Sequence, residues 1–447
     1  MRVVVENTVC LNTGDAAILL AIRHILKTLL GEGVEFLVFD SQPEVAARLY
    51  PKEHYPDIEL RKLPSESFFK YKYDDNTLKN ALKQVYNQAV FQALSHVGTG
   101  NYLDRQFFSD DDRKSLALYR DADLVITTGG TYLVENYSLE RRINEFKVGE
   151  MLGKKPIFFT QSLGPFEKSY NRRKLQPVFA QSPLILLRDE RSREHILDLV
   201  DDPGKCHVIA DAVFALADLE RVKALLIVGR PAPSGRVGIS VRHWHYVKNG
   251  AGGMGRYIDS IREIATRLVR DHGKEVTFVS TCQGVPEYAH DDSKTAELIV
   301  SGLAPEIASQ VTVDASFHTP EQLMAVVKDF DFVVATRMHM MIMSLCVGTP
   351  VLPIAYEFKT RELAKRIGVA DVLLDIDTVA PDEASASLDR FAANLDHYRA
   401  VSLKAVIEEH ASAMSAADLI RPLIEGSTAN STQPSPEDVE QDLARRA

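Results

Sequence analysis

The sequence predicts an α/β protein of two Rossmann-like domains facing a cleft, with a C-terminal helix and a disordered tail. Three observations carry this. Short apolar runs alternate with stretches of helical spacing along most of the chain, the pattern of parallel βαβ units. The alternation breaks near residues 217–235, where Gly229-Arg230-Pro231-Ala232-Pro233-Ser234-Gly235 concentrates turn-forming residues and reads as a linker. A chain of 447 residues also exceeds what one ordinary core organises. The division expected is 1–225, 226–400, a helical segment 401–425 and a tail 426–447.

Composition excludes several classes. Hydrophobic residues at 45% and charged residues at 26% describe an ordinary globular protein, and a net charge of -10 argues against general nucleic-acid binding. Cys10, Cys206, Cys282 and Cys346 lack zinc or disulfide spacing and read as structural thiols of a reducing compartment. The opening MRVVVENTVC is too weak for a signal peptide, and no apolar window is long enough to span a bilayer. The expected setting is the cytoplasm, with peripheral membrane association and the oligomeric state left open. No metal is indicated: Asp291 and Asp292 read as helix-capping acids, and Asp110-Asp111-Asp112 as a solvated loop.

In chain order, Val3-Val4-Val5 opens as a buried strand, and helical spacing from Ala16 to Leu30 leads to a second strand at 34–39. Between them lies Asn12-Thr13-Gly14-Asp15. Thr13 or Asp15 caps the helix, or Gly14 admits an anion or sugar hydroxyls to its N-terminus. Neither nucleotide-binding glycine fingerprint fits the spacing. Residues 51–118 are more polar, helical over 77–96, and read as an excursion of helices and loops in which Tyr71, Tyr73 and Tyr86 line an acceptor groove or, more simply, belong to a packed surface. Strands at 123–126, 155–160, 184–187 and 207–209 then end in polar or glycine-bearing loops. These begin at Thr127, Gln161, Arg188 and Ala210, and the first carries Gly129 and Gly130.

A second series starts with the strand 236–241, which ends in Arg242-His243-Trp244-His245. A helix at 255–271, a strand at 275–280, a helix at 291–302 and a short strand at 311–313 follow, and Thr319-Pro320 opens another helix. The strand Phe332–Ala335 ends in an extended loop holding Arg337 and His339, with a helix from Met340. The strand 351–356 ends in Glu357-Phe358-Lys359. Residues 401–424 are helical, and the Ser/Thr/Pro/Glu-rich remainder has a disordered composition. Open parallel sheets bind ligands at the carboxyl ends of their strands. Two such loop sets facing each other give the glycosyltransferase-B (GT-B) arrangement.

Eight motifs, in order from residue 3 to about 370, resemble the polysaccharide pyruvyl transferase family. They are Asn12-x-Gly14-Asp15-x-Ala17-Ile18, Gly129-Gly130-x-x-Leu133, Gln161-Ser162-Leu163-Gly164-Pro165-Phe166, Arg188-Asp189-x-x-Ser192, Asp211-x-x-Phe214, Val241-Arg242-x-Trp244, Arg337-x-His339 and Tyr356-x-x-Lys359. Three departures stand out: Thr131 where a third glycine is common, Ala212 where proline is frequent, and the pair His243 and His245 around Trp244. The resemblance implies a GT-B-like fold. It also implies transfer of a pyruvyl group from phosphoenolpyruvate to sugar hydroxyls as a ketal, in exopolysaccharide or cell-surface glycan synthesis and without a cofactor. The acceptor expected is a lipid-linked or nucleotide-linked sugar, held by Asn12, Gly14, Gly129, Gly130 and Gln161.

The chemistry of such a reaction sorts the residues. Phosphoenolpyruvate carries a carboxylate and a phosphate, so its site needs cations, and arginine forks suit oxyanions. Arg337 and Arg242 are the first candidates and Lys359 the third. His339 has the near-neutral pKa of an acid or base, Asp15 is a candidate base toward the acceptor hydroxyl, and His243 an alternate acid. Met338, Met340, Met341 and Met343 read as core. Two other readings share the fold: a nucleotide-sugar glycosyltransferase, and a non-catalytic carbohydrate- or phosphate-binding relative.

Overall fold

The computed structural model describes residues 1–71, 77–99, 102–229, 232–244 and 250–431. Its strands gather into two sheets. The first contains β1 (Arg2–Thr8), β2 (Glu35–Asp40), β3 (Ile58–Lys62), β4 (Leu124–Thr127), β5 (Gly130–Leu133), β6 (Ile157–Leu163), β7 (Ile185–Leu187) and β8 (Cys206–Val208). Their order is β3-β2-β1-β4-β6-β7-β8, with β5 paired to β6. The second contains β9 (Arg236–Ser240), β10 (Glu275–Phe278), β11 (Val311–Val313), β12 (Phe332–Ala335), β13 (Val351–Ala355) and β14 (Leu374–Asp375), in the order β11-β10-β9-β12-β13-β14. The strand pairs in both sheets run parallel.

This topology explains the continuous apolar runs. A parallel sheet is covered by helices on both faces, so successive residues are buried rather than alternate ones. Val3, Val4 and Val5 in β1, and Val333 and Val334 in β12, are fully buried accordingly. In each sheet the strand order reverses once, between β1 and β4 and between β9 and β12. Ligands bind at such switch points. Directly beyond these four strands come Asn12 to Asp15, Gly129 to Thr131, Arg242 and Arg337.

Several elements differ from the expectation. Residues 51–118 contribute β3 to the first sheet as well as helices, and Gly130 to Leu133 forms β5 rather than a loop. Tyr71 and Tyr86 do sit in a packed surface, against Phe69 and Phe107; Tyr73 lies outside the described residues. Asp110 to Asp112 form the first turn of the helix Asp110–Arg120, with a capping box between Ser109 and Asp112, so the acids answer the helix dipole instead of lying in a loop. The presumed linker contains the helix Leu219–Val228, which ends at Gly229 with φ 82. The division lines at 225/226 and 400/401 each pass through a helix, the second being Leu395–Met414.

The last helices return to the first sheet. Ala210 N donates to Ser412 Oγ at 2.9 Å, and Ala416 and Ile420 join the core shared with the helix Thr13–Leu30. The helix Ala416–Ser431 carries regular backbone past 426, where the tail was expected to begin; residues 432–447 lie outside the described part. Among the described residues no helix is long and apolar enough to cross a membrane. All four cysteines are buried and unpaired, and the four methionines are core as expected.

Candidate active site

Loops from both sheets line one cleft of about 370 Å³. Six cations border it (Arg141, Arg142, Arg188, Arg242, Arg337 and Lys359), against two carboxylates, Asp15 and Glu66. That imbalance concentrates positive potential in a concave site and suits a small polyanion.

Arg337 follows β12 and is the N-cap of the helix Met338–Cys346. Its guanidinium forks onto Asp292, Nε to Oδ2 at 2.8 Å and Nη2 to Oδ1 at 2.7 Å. Asp292 also accepts the Ser280 hydroxyl at 2.7 Å and is 3% exposed. Asp291 alone caps its helix, by accepting from Ser293 N, so Asp292 is a buried counter-ion and not a cap. Arg337 keeps N–H groups outside the fork and lines the cleft, but much of its charge is already answered.

Arg242 follows β9 and is held differently. Its guanidinium carbon lies 4.5 Å from the ring centre of Trp244 and 4.1 Å from that of Tyr356. Its Nε is buried without a hydrogen-bond partner, and no carboxylate among the described residues pairs with it. The aromatic clamp fixes the side chain while leaving its donors available. His243 is exposed and does not line the cleft, which Arg242, two residues beyond β9, does; the alternate acid expected at His243 is not brought to the site. His245 lies outside the described residues.

His339 is the second residue of its helix and not part of an extended loop. Its Nε2 stands 3.7 Å from Asp211 Oδ2, beyond hydrogen-bonding distance, and has no hydrogen-bond partner among the described residues. The imidazole lies against the first sheet's opening loop: a Cβ on Gly14 would come within 2.6 Å of His339 Nδ1. Gly14 is therefore needed to let the two halves close on this histidine. The helix N-terminus beside it is not open to an anion at the first N–H groups. Asn12, not Thr13 or Asp15, is the cap, accepting from Gly14 N at 2.9 Å, while Thr13 N donates to Thr281 O at 2.9 Å.

Asp15 accepts from Asn12 Nδ2 at 2.9 Å and lines the cleft. Burial pushes its carboxyl up, against the opposing pull of His339, Lys359, Arg188 and Arg337, which favours a base over a fully stabilised anion. Arg188, directly after β7, is 4% exposed. It donates from Nε to Ser162 Oγ at 2.8 Å, from Nη1 to Asp211 Oδ2 at 2.6 Å and from Nη2 to Thr131 Oγ1 at 2.6 Å. Lys359 sits in the first turn of the helix Phe358–Arg366, paired with Glu357 at 2.7 Å, and crosses the cleft to donate to Thr131 Oγ1 at 2.9 Å.

The glycines and the glutamine divide by role. Gly130 lines the cleft with φ 118, where side chains are disfavoured. Gly129 does not: its Cβ would meet Phe159 O at 2.8 Å and Ile18 Cγ2 at 3.0 Å, so it serves close packing of the loop on β6. Gln161 is buried and donates to Thr128 O and Tyr132 Oη, each at 2.7 Å, which positions the wall of the cleft instead of touching a ligand. Cleft residues not anticipated include Arg141 and Arg142 on the helix Glu140–Met151, with Tyr132, Tyr137 and Tyr288. Arg142 donates to Asn7 Oδ1 at 2.7 Å and lies 4.9 Å from the Tyr132 ring centre, with no carboxylate partner among the described residues. Asn7 holds φ 65 at a register shift of β1, a local irregularity beside this network.

The switch-point cleft and its strand-end cations define a member of a transferase family: residues 12–357 match the family described as Polysaccharide pyruvyl transferase, and the chain belongs to it. The Amylovoran biosynthesis protein AmsJ of Erwinia amylovora is 22% identical over 414 residues, covering 91% of this chain and 95% of that protein. Among solved structures, the UDP-GlcNAc 2-epimerase of Methanocaldococcus jannaschii superposes with a TM-score of 0.54 at 8% identity, over 94% of this chain and 99% of that one. The UDP-GlcNAc 2-epimerase of Neisseria meningitidis, bound to UDP-GlcNAc, gives 0.52 at 12% identity, over 95% and 100%. The fold is GT-B-like.

Proposed function

We propose that this cleft transfers the pyruvyl group of phosphoenolpyruvate to two hydroxyls of a saccharide acceptor, forming a cyclic ketal and releasing phosphate. The observation that carries the reading is Arg242, an arginine clamped by Trp244 and Tyr356 with no carboxylate partner among the described residues. A fixed guanidinium without an ion-paired carboxylate is the group a carboxylate- and phosphate-bearing donor requires.

Two acceptor oxygens bond to C2 of the donor, the C2–O bond to phosphate breaks, and the enol methylene becomes a methyl group. Of the two hydroxyl protons lost, one balances the proton gained at C3 and the other leaves with phosphate. His339, which lines the cleft, delivers the proton to C3, and the Asp211 carboxylate beside its buried Nε2 stabilises its imidazolium form. Asp15, its carboxyl pushed up by burial, takes the proton of an attacking hydroxyl. The acceptor lies along Tyr132, Arg141 and Arg142, where Arg142 meets the phosphate of a lipid- or nucleotide-linked sugar. No cofactor takes part. The amylovoran name of the relative supports a place in exopolysaccharide biosynthesis, and the buried free thiols support a cytoplasmic setting.

The test is acceptor-dependent phosphate release from phosphoenolpyruvate, with mass spectrometry of the ketal. His339→Ala should lower kcat by about 10²–10⁴-fold, the range of a lost acid–base group, with the phosphoenolpyruvate KM little changed. Full activity in that variant removes His339 from the mechanism. Turnover of a UDP-sugar without phosphoenolpyruvate moves the protein to glycosyl transfer, and binding without turnover to a non-catalytic role.

A further inference from the structure

We propose that Thr131 is a substrate-binding residue whose hydroxyl donates to a phosphate oxygen of the donor, in a seat shared with Arg188 and Lys359. The inference rests on the reading of the cleft as a phosphoenolpyruvate site. It turns on hydrogen-bond arithmetic. A threonine hydroxyl has one O–H to give and two lone pairs to receive. Arg188 Nη2 donates to Thr131 Oγ1 at 2.6 Å and Lys359 Nζ at 2.9 Å. Arginine and lysine only donate, so both lone pairs are taken. The O–H remains, Thr131 lines the cleft half-exposed, and no acceptor for that hydrogen is present among the described residues.

Two cations drawing on one oxygen polarise its O–H and strengthen it as a donor. Around it, Lys359 keeps N–H groups beyond the one given to Thr131, and Arg188 keeps a second hydrogen on Nη2. Three donors from two sheets thus meet at one point. The charges of Arg188 and Lys359 are already answered by Asp211 and Glu357. The seat therefore selects by the number and direction of its donors. Net charge comes from Arg242, which shares the Tyr356 ring with Lys359, at 4.1 Å and 5.4 Å respectively. An oxyanion with several acceptor oxygens, a phosphoryl group, fits that combination. A third glycine in place of Thr131 would supply no such donor and would leave Arg188 and Lys359 unbridged.

Calorimetric binding of inorganic phosphate and of phosphoenolpyruvate to the full chain tests this in wild type, Thr131→Val, Thr131→Gly and Thr131→Ser. Val and Gly should each weaken both ligands by about 10-fold, the factor of one charge-assisted hydrogen bond, and Ser should stay within about 3-fold of wild type. Should Val fail to fold, Gly, which adds no bulk, carries the same expectation. Unchanged or tighter binding in the folded variants overturns the inference, because it means the hydroxyl only bridges two cations that are better freed. So does a wild type that binds no phosphate. Phosphate binding that depends on Thr131, without turnover of phosphoenolpyruvate, upholds the seat and rejects the pyruvyl-transfer reading.

Discussion

The ends of β9 and β12 are the same place twice. The strands are neighbours, Ser240 pairs with Ala335, and two residues beyond each stands an arginine, Arg242 and Arg337. Equal register gives both the same reach into the cleft, yet their surroundings differ. The helix after β10 brings Asp292 under Arg337, and a two-pronged ion pair forms. Around Arg242 the chain supplies two aromatic rings and no ion-paired acid among the described residues; Glu357, within its electrostatic reach, pairs with Lys359 instead. Sheet topology decides where a side chain arrives; the partner that arrives with it decides whether it holds the fold or awaits a ligand.

The largest effect expected from this contrast is on stability. Arg337→Ala leaves Asp292 buried without its partner, which costs about 3–5 kcal/mol. Denaturant unfolding of Arg337→Ala should show that loss, and Arg337→Ala with Asp292→Ala should recover part of it. An Arg337→Ala protein as stable as wild type would break the comparison at its first term. Arg242→Ala should behave in the opposite way. Its phosphoenolpyruvate KM should rise about 10–100-fold, as for a lost charged hydrogen bond. Its stability should fall by only about 0.5–2 kcal/mol from the lost ring contacts. Equal losses in both measurements for both variants would mean that the two arginines share one job.

The same contrast marks what could be read from the sequence. Strands were legible because parallel sheets bury successive residues, so runs such as Val3 to Val5 and Phe332 to Ala335 announce themselves. Strand-end cations were legible for the same reason, as the first polar residues after such runs. Their partners were not. Asp292 lies 45 residues from Arg337, Asp211 lies 23 from Arg188, and nothing in local spacing links them. Gly14 and Gly129 look alike as ligand-admitting glycines. One makes room for His339 from the other sheet and the other for the Phe159 carbonyl, facts that exist only after folding. Arg142 escaped notice because it sits on a helix and not at a strand end. Thr131 drew attention only as a missing glycine, and its hydroxyl turns out to bridge two cations.

The smallest expected effect concerns Arg188, which extends the comparison to the first sheet as another arginine answered by an acid. Burial alone pushes the Asp211 carboxyl up, but Arg188 at 2.6 Å and the neighbouring His339 outweigh it and hold the group well below the usual carboxylate range. A carboxylate stabilised in this way adds stability that is fully present above the ordinary Asp value of about 3.9 and is lost as pH falls from there toward its lower folded value. Unfolding free energy measured at about pH 5 and about pH 3 should therefore drop less in Asp211→Asn than in wild type. Arg242→Ala should keep most of the wild-type drop, because Glu357, the carboxyl in its reach, is held down first by Lys359. A flattened acid limb in Arg242→Ala would show that Arg242 does stabilise an anion within the folded protein, and the distinction between the paired and the waiting arginine would fail.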